Sequence, residues 1–248
     1  AILGILKRRG INARPQTLIQ RKHNLWHEAF NNLTPEACYW IGFLFADGTI
    51  TESKSGNSEI VLRLSETDLQ HIEKFKDFLK SEHKISKVQM NSSFLGSKDS
   101  YKFSVRSTKL AECLRSYGMK KFNQSQATEQ IARSRNFWRG VIDGDGYIGF
   151  SNYNGKQRPR LELVGGSVLL NQFADYIHSI IPNSKLSVLP HKSIFRVAVT
   201  GKIAFQIVAN LYSEVAISLP RKQNAALNIL AAGLAVQNLT KAVGLGVF

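Results

Sequence analysis

The sequence predicts an α+β fold of two pseudo-symmetric αββαββα half-domains, each with a four-stranded antiparallel sheet, packed through one pair of helices. Three observations predict it. The nine residues Trp40–Gly48 (WIGFLFADG) recur as Trp138–Gly146 (WRGVIDGDG), with Trp first, Gly third, Asp eighth and Gly ninth in both. Asp145 follows Asp47 by 98 residues, a spacing that fits two similar half-domains rather than a solenoid. After each copy, period-two and helical patterns follow in the same order.

The repeated stretches read as helices. Gly42 and Ala46 share one helix face, as do Gly140 and Gly144, and a face without side-chain bulk lets another backbone approach closely. Glycine inside a helix costs about 1 kcal/mol relative to alanine, so two such faces in one chain suggest two helices packed on each other. Gly48 and Gly146 suit the left-handed turn that stops a helix. Asp47 and Asp145 then lie beside unpaired carbonyls at the negative ends of two adjacent helices, where hard oxygen ligands attract Mg²⁺ or Ca²⁺. An EF-hand counted from Asp143 fails, because it meets Tyr147, Ile148 and Asn154 where it needs Asp or Asn, Gly and Glu.

The elements follow in chain order. Residues 1–33 are a basic arm or linker, with Lys7, Arg8, Arg9, Arg14, Arg21 and Lys22. The first half covers residues 34–130. Thr34 and Pro35 are a good N-cap and first position for the first motif helix. Strands follow at Thr49–Ser53 and at Glu59–Ser65, where Ile60, Leu62 and Leu64 face inward. Asp68–Leu79 is an amphipathic helix, and alternation over Lys87–Asn91 and Tyr101–Arg106 gives two more strands. Leu110–Tyr117 is a helix stopped by Gly118. The second half, residues 131–233, repeats the order: strands around Ile148–Phe150, Arg158–Leu163, Lys185–Val188 and Phe195–Thr200, with helices at Ser167–Ile181, Lys202–Leu211 and Arg221–Leu230. Residues 234–248 form a tail with no clear pattern.

Each sheet thus has one apolar and one polar face. The polar faces carry Arg63, Lys87, Gln89, Asn91, Lys102, Arg106, Arg158, Arg160, Lys185 and Arg196. An idle face would mix charges of both signs, whereas these residue types reach phosphates and base edges. The chain has 33 Lys+Arg against 18 Asp+Glu, a net charge of +15 over 248 residues, which favours a polyanionic partner. No apolar run approaches the roughly 20 residues of a membrane span, and no secretory signal is visible. Cys38 and Cys113 have no metal spacing and read as free thiols of a reducing, intracellular compartment.

At its two motifs the chain resembles the LAGLIDADG homing endonucleases in their single-chain, two-motif form. The sixth motif position departs between copies: Asp143 in the second, Phe45 in the first. The resemblance implies a monomer whose pseudo-two-fold axis runs between the motif helices, and two sheets forming a saddle over the major groove of a long asymmetric DNA duplex. It implies Mg²⁺-dependent phosphodiester hydrolysis, with Asp47 and Asp145 as direct metal ligands aided by the carbonyls of Ala46 and Gly144. Ca²⁺ is expected to support binding without efficient cleavage. Glu66 and Gln70 match peripheral water-positioning groups, Lys222 matches the basic residue near the end of a half, and Lys121 or Gln124 is its counterpart in the first half. The N-terminal arm resembles the end of a recognition helix that precedes such cores. An RNA-binding intron maturase of the same fold is the alternative; the retained Asp pair favours cleavage. An intein-embedded nuclease would need splicing segments around it, and between Ala1 and Phe248 none is seen.

Overall fold

The structure is a computed structural model that describes Arg9 and residues 23–53, 56–89 and 99–242. Two helices form its centre: α1 (Pro35–Asp47) and α5 (Arg135–Asp145). Every residue from Ala37 to Phe45 and from Phe137 to Asp143 is buried, so both are core helices; α1 is apolar nearly all round, whereas α5 carries Arg139 and Asp143 inside the core. Thr34 Oγ1 accepts the Ala37 N–H at 3.1 Å, and Pro35 occupies the first turn, as the sequence predicts.

Each central helix runs straight into a sheet. Strands β1 (Gly48–Glu52), β2 (Ser58–Ser65), β3 (Ser86–Val88) and β4 (Ser100–Arg106) make an antiparallel sheet in the order β1-β2-β4-β3. Strands β5 (Gly146–Tyr153), β6 (Lys156–Gly165), β7 (Leu189–His191) and β8 (Ile194–Thr200) repeat it as β5-β6-β8-β7. The apolar faces (Ile60, Leu62, Phe103 and Val105; Leu161, Leu163, Val197 and Val199) join one continuous core with the central helices. Around them pack α2 (Leu69–Phe78), α3 (Thr108–Ser116), the short α4 (Glu129–Ala132) between the halves, α6 (Ser167–Ile180), α7 (Gly201–Tyr212) and α8 (Pro220–Ala242). The predicted order of elements is thus present in both halves.

Three local expectations are corrected. Gly48 and Gly146 are not left-handed: their φ/ψ are −84/152° and −90/166°, and each N–H still reaches back, to the carbonyls of Leu44 and Ile142. The chain passes from helix to strand without a loop, and a Cβ at either position would lie 2.6 Å from that carbonyl oxygen, so glycine is needed for close approach rather than for positive φ. The strand predicted at Lys185–Val188 is a loop, tied down by the His178 Nε2–H donating to the Ser184 carbonyl at 2.7 Å. The strand lies at Leu189–His191 instead, because the turn at Lys192 (φ 55°) and Ser193 sets His191 opposite Ile194. Pro190 is accommodated because β7 is an edge strand. Strand β3 likewise ends at Val88, which leaves Gln89 beyond it; Asn91 lies outside the described residues.

Most of the predicted basic arm lies outside the described residues. Residues 24–33 pack against the first half: Trp26 N–H donates to the Leu79 carbonyl at 2.8 Å, and Phe30 is buried against Phe78. Helix α8 continues through residue 234, where the sequence shows no pattern. Gly118 does end α3 with positive φ, 100°, and a Cβ there would meet the Gln126 carbonyl oxygen at 1.7 Å. Cys38 and Cys113 are free thiols. Among the described residues no helix is long and apolar enough to cross a membrane.

Candidate active site

Helices α1 and α5 touch backbone to backbone. A Cβ at Gly42 would stand 2.0 Å from the Phe137 carbonyl oxygen, and one at Gly140 would stand 2.1 Å from the Tyr39 carbonyl oxygen. The small faces predicted from the motif therefore meet each other. One turn further on, a Cβ at Gly144 would lie 2.4 Å from the Ala46 Cβ and 3.1 Å from Asp47 Oδ2. The carboxylate of Asp47 lies over the backbone of Gly144, and the absence of a side chain there gives it room.

Asp47 and Asp145 are the last residues of their helices, side by side. Burial pushes Asp47 up to about 7, and the like charge of Asp145 adds to the rise; Arg221 and Lys222 oppose it. Asp145 keeps an exposed edge, yet the protein around it pushes it up to about 6 against the pull of Lys222. Lys222 is buried, and its Nζ donates to the Gly146 carbonyl. Desolvation lowers its pKa, partly offset by the charges of Asp143, Asp47 and Asp145. A cleft of about 530 Å³ opens beside the pair, lined by Ala46, Gly48, Thr49, Lys121, Asn123 and Asp145 among others. A larger groove of about 760 Å³, lined by Gly118, Arg133, Gln172 and Asp175 among others, contains none of these groups.

Of the sequence-predicted site residues, Asp47, Asp145, Ala46, Gly144, Lys222 and Lys121 come together here. Glu66 is exposed in a 3-10 turn (Glu66–Asp68) that leads into α2, and Gln70 is exposed on the first turn of α2. Gln124 is exposed in a second 3-10 turn and does not line the cleft. On the polar faces, Arg63, Arg106 and Arg158 are exposed, and Lys102, Arg160 and Arg196 half-buried. Arg63 Nε donates to Ser100 Oγ at 2.8 Å. Lys87 departs from the predicted polar face: it stands opposite Tyr101, on the side of Phe103, while Ser86 stands opposite Lys102, and it pairs with Asp99 at 2.5 Å. Lys185 and Gln89 lie in loops at the sheet margins.

The structure adds residues that sequence reasoning missed. Arg221, next to Lys222, crosses to the first half and holds Asp68 at 3.2 Å, within reach of the field of Asp47. Asp143 is fully buried and accepts from Tyr39 O–H at 2.7 Å, Tyr212 O–H at 2.5 Å and the Leu219 N–H at 2.6 Å. It therefore ties both central helices to α7 and to the start of α8, which carries Arg221 and Lys222. Burial pushes Asp143 up to about 6, against those three hydrogen bonds and the nearby Arg139. Arg139 is buried too, donating to the carbonyls of Ile217 and Leu211 and to Asn136 Oδ1. The available signal was the second motif itself: a charged residue inside a helix buried all round must be paired.

No protein-family model and no curated protein matches the chain. Solved structures do. Meganuclease I-SmaMI bound to uncleaveable DNA matches with a TM-score of 0.57 at 12% identity, over 84% of this chain and 91% of that one. The chain has the LAGLIDADG homing endonuclease fold. The same fold appears in I-GzeII in complex with its DNA target, with a TM-score of 0.56 at 11% identity over 84% and 92% of the two chains. The I-LtrWI LAGLIDADG homing endonuclease bound to target DNA gives 0.52 at 13% identity over 82% and 90%. On this fold, the two motif helices are α1 and α5, and Asp47 and Asp145 are their ends.

Proposed function

We propose that the chain is a site-specific endonuclease of double-stranded DNA that hydrolyses phosphodiester bonds with Mg²⁺. The observation that carries this reading is the Asp47–Asp145 pair at the abutting ends of α1 and α5, between two sheets with cation-rich outer faces. A fold hosts many functions, so the argument rests on these groups. Two like-charged carboxylates held together at a raised pKa, beside the backbone of Ala46 and Gly144, fit a divalent cation that would neutralise them. Asp47 and Asp145 would hold it, with the two backbone carbonyls, and when bound it would supply a nucleophilic water and stabilise charge on the phosphate.

The other roles belong to the chain itself. Lys222, fixed on the Gly146 carbonyl, places a positive charge beside both aspartates, where a phosphate oxyanion gains charge. Arg221 places a positive charge near Asp47 and is itself held by Asp68. Lys121 stands in the cleft beside Asp145, with Asn123, as the first half's counterpart of Lys222. Arg63, Lys102, Arg106, Arg158, Arg160 and Arg196 face the duplex, and the two halves differ in sequence, so the site is long and asymmetric. The neighbours support the partner: I-SmaMI has been seen bound to an uncleaved DNA target in the presence of calcium ions. The chain works as a monomer, since both motifs are on it.

The test begins with selection of cleavable sites from a randomised duplex library in Mg²⁺. Asp47→Asn and Asp145→Asn should then abolish cutting of a plasmid carrying the selected site, with affinity in Ca²⁺ unchanged or slightly raised. Full double-strand cleavage by the double variant would refute the mechanism. Loss of binding in both single variants would make these residues structural.

A further inference from the structure

The outer face of the second sheet contains an ion cluster that the cleavage chemistry does not use. Glu162 lies in the middle of β6 between two guanidinium groups. Arg160 Nη2 donates to Glu162 Oε2, and Arg196 Nη1 stands 4.0 Å from Oε1, an ion pair without a hydrogen bond. Arg160 and Glu162 share one face of β6, two residues apart, and Arg196 lies diagonally across on β8, opposite Val164. The Glu162 side chain is only 16% exposed, although it sits on the polar face; each arginine side chain is 33% exposed.

The first sheet lacks this device. Gly48 pairs with Leu62 as Gly146 pairs with Leu163, so Val61 stands where the second sheet has Glu162, and Glu59 stands where it has Arg160. Lys102 stands where it has Arg196. In a largely buried ion pair the cost of desolvating both charges offsets much of their attraction, so stability does not account for an acid placed among the cations of a DNA-facing sheet. Its charge also repels phosphate, which disfavours backbone contacts at this spot. A guanidinium has five donors in a planar fork, so one edge can rest on the carboxylate while the other stays available.

We infer that Glu162 is a specificity-determining positioning residue: it fixes Arg160 through a hydrogen bond and draws Arg196 in by charge, so that the two forks read guanine in the half-site under the second sheet. This rests on the endonuclease reading. A fixed fork loses less freedom on binding and matches O6 and N7 of guanine, whereas a mobile one settles equally well on any phosphate.

The experiment is selection of bound sequences from a randomised duplex library in Ca²⁺, with the full chain as wild type, Glu162→Gln and an Arg160→Gln, Arg196→Gln double variant. Wild type should enrich guanine at one or two positions of one half-site, with the roughly 5- to 150-fold discrimination that a bidentate contact gives. Glu162→Gln should lose that preference at the same positions as the double variant, keep the preferences of the other half-site, and bind random duplex more tightly. Guanine preference retained in Glu162→Gln would overturn the inference, as would loss at positions different from those of the double variant, or loss across both half-sites alike. A wild type that enriches no sequence would instead overturn the DNA-reading assignment on which the inference stands.

Discussion

Replacing Gly140 with alanine tests whether the helix pair is held by backbone contact. On an unpacked helix face the change stabilises, because alanine is the better helix former by about 1 kcal/mol. At Gly140 the added Cβ would lie 2.1 Å from the Tyr39 carbonyl oxygen and 2.7 Å from the Phe43 nitrogen. Both are backbone atoms in the buried middle of α1, so no side-chain rotation relieves the overlap. Ordinary contact begins near 3.4 Å, so the helices must part by more than an ångström, against a core packed on every side. Overpacking costs about 1–3 kcal/mol, and the rigid neighbours put this case at the upper end. After subtracting the propensity gain, the expected loss is about 2 kcal/mol, or a fall in Tm of about 4–8 °C for a chain of this size. Gly140→Leu should cost several kcal/mol. Thermal and urea unfolding measure both. A Gly140→Ala protein as stable as wild type, or more so, would refute the close approach of α1 and α5.

Other outcomes follow from the buried polar groups. Asp143→Asn keeps the volume but loses the charge that three donors converge on, and should cost about 3 kcal/mol in urea unfolding; an unchanged midpoint would remove Asp143 from the network. His71 is buried against Tyr39 O–H at 2.8 Å, and because Tyr39 gives its proton to Asp143, the His71 Nε2–H is the donor there and Nδ1 has no partner. Burial lowers its pKa to about 3, so as pH falls through 6.5 the unfolded chain takes a proton that the folded one refuses. The stability advantage of wild type over His71→Phe should therefore shrink by about 1.4 kcal/mol per pH unit between about 6.5 and 4; a pH-independent difference would show that His71 is not buried neutral.

The sequence by itself determined the duplication, the two central helices ending on Asp47 and Asp145, the small faces that join them, and the succession of strands with one apolar side. These features are local: period and composition report which face of an element is buried, and a glycine reports a neighbour too close for a side chain. Lys222 was legible only through resemblance, and its contact with the Gly146 carbonyl was not. Tertiary structure alone decided the rest. The alternation at Lys185–Val188 looks like a strand, but pairing is set by the turn at Lys192 and Ser193, which moves the ladder to Leu189–His191. Arg221 and Asp68 are distant in sequence yet form one ion pair across the halves. Asp143, a departure between the two motif copies when read in one dimension, gathers Tyr39, Tyr212 and Leu219 from three other parts of the chain. Arg160 and Arg196, two separate cations in the sequence, meet around Glu162, one by hydrogen bond and one by charge. Hydrogen bonds and ion pairs act over a few ångströms between groups of any sequence separation, so they exist only once the apolar faces have closed.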